Sequence, residues 1–476
     1  MKSHHPVAKP LALMTVVALL SLAPPAQAQT ATEAELMRRL DQMATELAQL
    51  KAQLGALQQQ QRAAAAPVAT AAAPLATPPA APASPALATA TATTTATTPA
   101  TSTATTTGTA LAAAPAVAPV AETRAALSEP ATVLSSYGEI NYNRPRNDLS
   151  KTRADLVRFV LGYQRRFDDK TKVVAELEVE HAVSSASDAG EVAVEQAYVE
   201  HQVSPTWGLR AGLFLLPMGL LNENHEPTAF YGVERNFVET RIIPTTWREG
   251  GIQLVGQFDN GVTLQGGVTT GFDLSKWDAK STDGQESPLG SIHQELALAH
   301  ARDLSLFGAI NWRGVPGLLL GGGVFSGGAS QGQTPTSSRV TLWDLHARWT
   351  PGRWDLSALY SRASISNTAA LNAPLVGNPT LIPASFDGAY VQAAYRLWQR
   401  GSYQLAPFVR WEQFNTASRY ADLGPGLTPS ARPSERVVTL GANFQLTPGI
   451  VLKADLQRFK QDHDADRVDL GIGWSF

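Results

Sequence analysis

None of the 476 residues is cysteine, which excludes a disulfide framework, thiolate chemistry and cysteine metal sites. The formal net charge is only −3, too small to mark a nucleic-acid partner. No H-E-x-x-H occurs, so no zinc-peptidase helix announces itself. The one G-x-S-x-G, Gly328-Ala329-Ser330-Gln331-Gly332, runs into a polar stretch and then period-two alternation, not the helix that a hydrolase nucleophile turn needs. Of the nine histidines, His4 and His5 adjoin near the N-terminus and the other seven are scattered singly. The most chemical-looking group, Asn224-His225-Glu226, reads more simply as a hydrogen-bonded loop histidine than as a metal ligand or base. Gly321–Gly323 lacks the Gly-Lys-Ser/Thr of a phosphate loop; inside a strand such glycines allow close packing or a bend. No catalytic residue, cofactor or metal is therefore expected. After the N-terminus the chain also lacks any apolar run near the ~18 residues that a transmembrane helix needs. If the mature chain lies in a membrane, it must do so as a closed barrel.

What is present falls into four stretches. Lys2 and Lys9 precede an apolar run over 11–22, and Ala26-Gln27-Ala28 follows. That is a secretory signal over 1–28, cut before Gln29. Over 29–61, Leu36, Leu40, Met43, Leu47, Leu50, Leu54 and Leu57 alternate spacings of four and three. This heptad seam predicts a self-associating periplasmic coiled coil, with Glu46 and Lys51 placed to pair between parallel chains. Leucine at both seam positions leaves two strands or three open, and a single amphipathic helix packing on the barrel is the other reading. Residues 62–130 are nearly all Ala, Pro and Thr, too poor in apolar bulk to fold, and read as an extended spacer.

Residues 131–476 carry sixteen candidate strands, from 134–143 to 467–476. Tight turns such as "DDKT", "DNG", "TPG" and "LTPG" alternate with long polar connections, among them 217–248, 273–302, 367–385 and 415–433. A soluble sandwich has no reason to keep short turns at one end and long loops at the other. An outer-membrane barrel does, with an even strand number and both termini on the periplasmic side. Side chains agree. Val157, Phe159, Leu161 and Tyr163 share one face against Arg158, Gly162 and Gln164. Trp343, Leu345, Ala347 and Trp349 oppose Asp344, His346 and Arg348. In the last ten residues, "RVDLGIGWSF", Val468, Leu470, Ile472, Trp474 and Phe476 alternate with small or polar residues. With charges on the opposite face and aromatics near strand ends, the apolar face looks at lipid. The fold expected is all-β, a 16-stranded antiparallel transmembrane β-barrel, with a polar inward face around an aqueous channel.

The 217–248 connection mixes Tyr, Phe and Trp with Arg235, Arg241, Arg248, Glu223, Glu226, Glu234 and Glu239. A loop so aromatic suits the lumen better than solvent, so it reads as a constriction loop. On the wall, Arg158, Arg210, Arg348, Arg396 and Arg410 have inward parity, as do Glu176, Glu178, Glu180 and Asp455. Arg432 and Arg467 sit near loop ends and are expected to matter less.

The stretch 208–256, "GLRAGLFLLPMGLLNENHEPTAFYGVERNFVETRIIPTTWREGGIQLVG", resembles the phosphate-selective porin O/P family of Gram-negative outer membranes. It carries Gly-x-x-x-x-Pro-x-Gly at a strand end, then Pro-Thr-Thr-Trp and Arg-Glu-Gly-Gly. The weaker strand-turn rhythm and terminal Phe476 extend the likeness over about 130–476. The resemblance implies a homotrimer of sixteen-stranded channels in outer-membrane lipid, each with an inward third loop, an arginine ladder and constriction lysines. This chain departs from that pattern: the 217–248 loop has no lysine, and residues 131–476 hold 31 Arg and Lys against 35 Asp and Glu. The arginines are then expected to pair with carboxylates and shape the pore. The function expected is passive diffusion of small hydrophilic solutes, with anions such as phosphate among them. A tether from membrane to peptidoglycan and a barrel-embedded hydrolase are the alternatives.

Overall fold

The structure is a computed structural model that describes residues 131–185 and 188–476, together with Thr45. The expected signal peptide, coiled coil and spacer otherwise lie outside the described residues.

The strands run β1 (Thr132–Pro145), β2 (Arg153–Arg166), β3 (Thr171–Glu180), β4 (Val192–Gln202), β5 (Trp207–Leu215) and β6 (Arg248–Gln257). They continue with β7 (Val262–Thr269), β8 (Ser305–Trp312), β9 (Leu318–Gly328), β10 (Arg339–Trp349), β11 (Trp354–Ile365) and β12 (Ser385–Tyr395). The last are β13 (Trp398–Arg400), β14 (Tyr403–Arg419), β15 (Glu435–Thr447), β16 (Ile450–Phe459) and β17 (Arg467–Ser475). Each pairs antiparallel with the next, except that β12 and β13 both pair with β14 and together make one interrupted stave. β1 closes on β17 from Tyr137↔Ser475 to Pro145↔Arg467. The result is a closed barrel of sixteen staves, as the turn rhythm required. At the seam, Phe476 and Ser136 exchange both backbone hydrogen bonds, at 2.9 and 3.0 Å.

The outer wall is greasy. Leu161, Ile252, Leu306, Leu345, Val391 and Leu440 are exposed there, a pattern that a water-facing surface would not tolerate over a whole barrel. Tyr163, Trp349 and Trp354 stay exposed near strand ends. Tight turns close at one end with left-handed glycines such as Gly261, Gly317 and Gly352; the long loops emerge at the other.

The inward face departs from expectation. It is not uniformly polar. Phe307, Phe325, Leu342, Leu359 and Phe386 point inward from β8 to β12 and join Phe214, Leu216, Met218, Ile242, Trp247 and Phe272 in one buried cluster. Trp247 stacks on Phe272 at 5.1 Å and meets Phe325 edge-on at 4.6 Å. Part of the lumen is thus filled by loop residues packed on the wall like the core of a soluble domain. In the β9 triglycine, Gly323 serves this packing, since a Cβ there would lie 2.7 Å from Met218 Sδ, while Gly321 makes room for neighbouring wall side chains, with His346 Nε2 2.4 Å from where its Cβ would be.

Candidate functional site

The connection between β5 and β6 turns inward at its first residues. Gly212 (φ +137°) lets β5 lie against β4, where a Cβ would stand 2.3 Å from the Ala197 carbonyl oxygen. Gly219 (φ +72°) turns the chain so closely that a Cβ would meet Glu239 Oε1 at 2.4 Å. Glu239 explains the tight fit. Its carboxylate accepts from the amides of Leu220 (2.6 Å) and Leu221 (2.7 Å), from Asn236 Nδ2 (2.7 Å) and from Tyr390 Oη (3.0 Å). Glu239 therefore clasps the loop's start to its end and to β12, and is a structural carboxylate inside the loop. Burial raises its carboxyl above the usual range, against the pull of those donors.

From there the loop is tied around the wall. His225 Nδ1–H donates to the Asn222 carbonyl at 2.8 Å, while Nε2 stands 2.8 Å from both Tyr137 Oη and Glu195 Oε1. Arg158 Nη2 donates to the His225 carbonyl at 2.5 Å. The amides of Gly232, Val233 and Phe237 donate to Asn443, Asp455 and Glu412 at 3.3, 2.6 and 2.6 Å. Arg410 Nη1 reaches the Tyr231 carbonyl at 3.2 Å. Glu223 accepts from Gln265 at 2.9 Å, and burial raises its carboxyl too. Glu234 accepts from Asn143 at 3.0 Å and pairs with Arg467. Contacts to β1, β2, β4, β7, β12 and β14 to β17 place the loop across the lumen.

The wall arginines meet carboxylates. Arg158 pairs with Glu139 at 2.9 Å, Arg210 with Glu200 at 2.7 Å and Arg410 with Glu412 at 3.0 Å. Arg348 grips Asp355 with two hydrogen bonds, 2.9 and 2.7 Å. In and beside the loop, Arg248 faces Glu295 at 3.1 Å and Arg241 faces Glu286 at 2.6 Å. Arg235 holds the hydroxyls of Thr245 and Thr246 at 2.6 and 3.0 Å. Arg396 differs from these: it donates to the Gly352 carbonyl in a tight turn and pairs with no carboxylate among the described residues. Arg467, expected to be peripheral, instead touches the loop through Glu234.

Four cationic atoms in or near the loop are buried and have no hydrogen-bond partner among the described residues: Arg158 Nη1, Arg248 Nε, Arg410 Nη2 and Lys453 Nζ. Lys453 lies over the Phe230 ring, 3.4 Å from its centroid. On the anionic side, Glu226 Oε2 is likewise unpartnered. Sequence reasoning missed Lys453, Glu412 and Glu195. Parity with Asp455 pointed to Lys453, and parity with Arg410 to Glu412. Glu195 had no such signal, because it is the extra residue of a β-bulge: Glu176 pairs with Gln196 and Leu177 with Val194. The bulge re-aims its side chain inward.

Comparison with known proteins follows the same lines. The phosphate-selective porin O and P family matches residues 326–467. An uncharacterized protein of Aquifex aeolicus (strain VF5) is 30% identical over 355 residues, 72% of this chain and 79% of that one. This chain belongs to the phosphate-selective porin O and P family. Among solved structures, OmpF of Salmonella typhi, in complex with daunomycin, superposes with a TM-score of 0.50 at 11% identity, over 72% of this chain and 97% of that one. An anion-selective porin from Comamonas acidovorans gives 0.46 at 14% identity, over 72% and 100%. The fold is that of an outer-membrane porin. The family match runs from the end of β9 to the first residue of β17, whereas the quoted loop motif lies upstream of it.

Proposed function

We propose that the chain forms a water-filled channel for passive diffusion of small hydrophilic solutes, with at most a mild preference for anions such as phosphate. It works as a homotrimer, with 29–61 as a reinforcing periplasmic coiled coil. The observation that carries this reading is the charge pairing around the inward loop. Arg158, Arg210, Arg348 and Arg410 each stand against a carboxylate, so the ladder is largely neutralised where it meets the loop. A strong oxyanion filter needs a surplus of donors, and the surplus here reduces to a few atoms beside the loop. The other polar groups hold loop backbone or one another, which supports transport rather than turnover. Planar-bilayer recordings test this: stepwise conductance is expected, with a small anion-favouring reversal potential in both chloride and phosphate gradients. No conductance, or near-ideal anion selectivity, would overturn it.

A further inference from the structure

A cavity of about 270 Å³ lies on the long-loop side of the inward loop. Its floor is aromatic. Phe237 stacks on Phe414 with centroids 5.5 Å apart and meets Phe459 edge-on at 5.3 Å. Arg432, Glu435 and Asp462 also line it.

The charges there are not equally available. Glu435 accepts from the amides of Arg436, Lys460, Gln461 and Asp462, at 2.9 to 3.0 Å. Asp462 accepts from the Asp464 amide at 3.2 Å. Arg241 faces Glu286, and Arg467 faces Glu234 and Asp469. The Arg432 guanidinium has no carboxylate partner among the described residues and hydrogen-bonds the Tyr420 side chain, while its backbone is tied to Ala417 and Asn415. An aromatic floor thus adjoins a guanidinium with donors to spare.

We propose that this cavity is a capture site for single-ring aromatic carboxylates at the channel mouth. The volume falls just below the range that holds drug-sized ligands, so one ring fits. Three phenylalanines offer the ring stacked and edge-on contacts. The Arg432 fork meets both carboxylate oxygens. An aliphatic anion forgoes the ring contacts, and a neutral aromatic leaves the guanidinium unpaired. The proposal rests on the channel reading only for its current readout; equilibrium binding tests it separately.

The test is calorimetric titration of the full-length protein in detergent with benzoate, acetate and benzyl alcohol, alongside bilayer currents with benzoate added to either side. Benzoate should bind saturably and reduce current when added from the long-loop side. Acetate and benzyl alcohol should bind at least about tenfold more weakly, the equivalent of one charge-assisted hydrogen bond or ring contact. Arg432→Gln and Phe414→Leu should each weaken benzoate by a similar factor, with chloride conductance showing that the variant barrel is folded. Arg339→Gln, at the exposed end of β10, should change nothing. Equal binding of acetate, or benzoate binding indifferent to Arg432→Gln, overturns the capture site. Benzoate binding without any chloride current sinks the channel reading and leaves the site standing.

Discussion

Inward-facing side chains of β8 to β12 include Phe307, Phe325, Leu342 and Phe386, whereas those of β1 to β4 and β14 to β17 include Arg158, Glu178, Glu195, Glu412, Lys453 and Asp469. One loop bridges both regions. Its ends, through Leu216, Met218, Ile242 and Trp247, sit in the apolar region. Its middle, from His225 to Phe237, hangs from the polar region by hydrogen bonds. The contrast separates two tasks. Apolar packing gains most of its energy from area removed from water and is indifferent to the sign of a passing ion. Charged groups in a narrow, partly desolvated zone act strongly on ions, but they contribute little net stability once desolvation is counted. The loop is thus packed among apolar side chains in one place and hung among charges in another.

The hardest blow to that division is Trp247→Ala. The ring is fully buried between Phe272 and Phe325, and truncating such a residue costs about 3–5 kcal/mol. Urea unfolding in detergent should show that loss. Single-channel recordings should show a noisier, larger conductance with an almost unchanged reversal potential. A large change in ion preference would mean that the apolar anchor also sets selectivity.

Glu239→Ala should come next. It strips the acceptor from the Leu220 and Leu221 amides, Asn236 and Tyr390 together. Each buried donor left alone costs about 1–3 kcal/mol, and water entering from the lumen will recover part of it. An effect near 2 kcal/mol, with faster proteolysis within 217–248, is expected. A variant as stable and as protease-resistant as the parent would show that the clasp is dispensable.

How much of this could be read in advance follows from period two. Alternation marks which residues face lipid, so strand positions, turn ends and the sixteen staves were legible within a few residues. The same rhythm says only that the other face turns inward, with many charged residues on it, and not what those residues meet. Phe325 and Phe386 show the gap: an inward residue near the long-loop end meets another loop, not water, and the loop's packing is not written in the strand. The ion pairs were legible as a class, since Arg158 and Glu178 share parity. Specific partners such as Glu139 and Glu195 needed register and, for Glu195, a bulge. Loop residues were the least legible. Glu239 looked like a pore charge, yet its carboxylate is spent on Leu220 and Leu221.

Lys453→Met turns the comparison around. The side chain is buried over Phe230 with no hydrogen-bond partner, so methionine keeps the packing and removes an unpaired charge. Stability should change by less than about 1 kcal/mol in either direction. The reversal potential, in contrast, should move toward cations. If unfolding shifts strongly while selectivity stays fixed, the polar region is merely a second anchor.

The smallest effect is expected from Arg396→Gln, and it decides whether inward parity alone confers a role. By sequence, Arg396 and Arg410 are alike: both arginines, both with inward parity, on neighbouring staves. In the structure Arg410 reaches the Tyr231 carbonyl of the loop, whereas Arg396 bonds the Gly352 carbonyl at the tight-turn rim. A charge that water reaches is screened within about 8–10 Å at ordinary ionic strength, so removing half-buried Arg396 should shift the reversal potential less than Lys453→Met does. Arg410→Gln also strands Glu412, a fully buried carboxylate, so the fair comparison is with Lys453→Met. If Arg396→Gln shifts selectivity as far as Lys453→Met does, the field that sorts ions extends along the whole wall. The loop would then narrow the channel without being the place where charge is read.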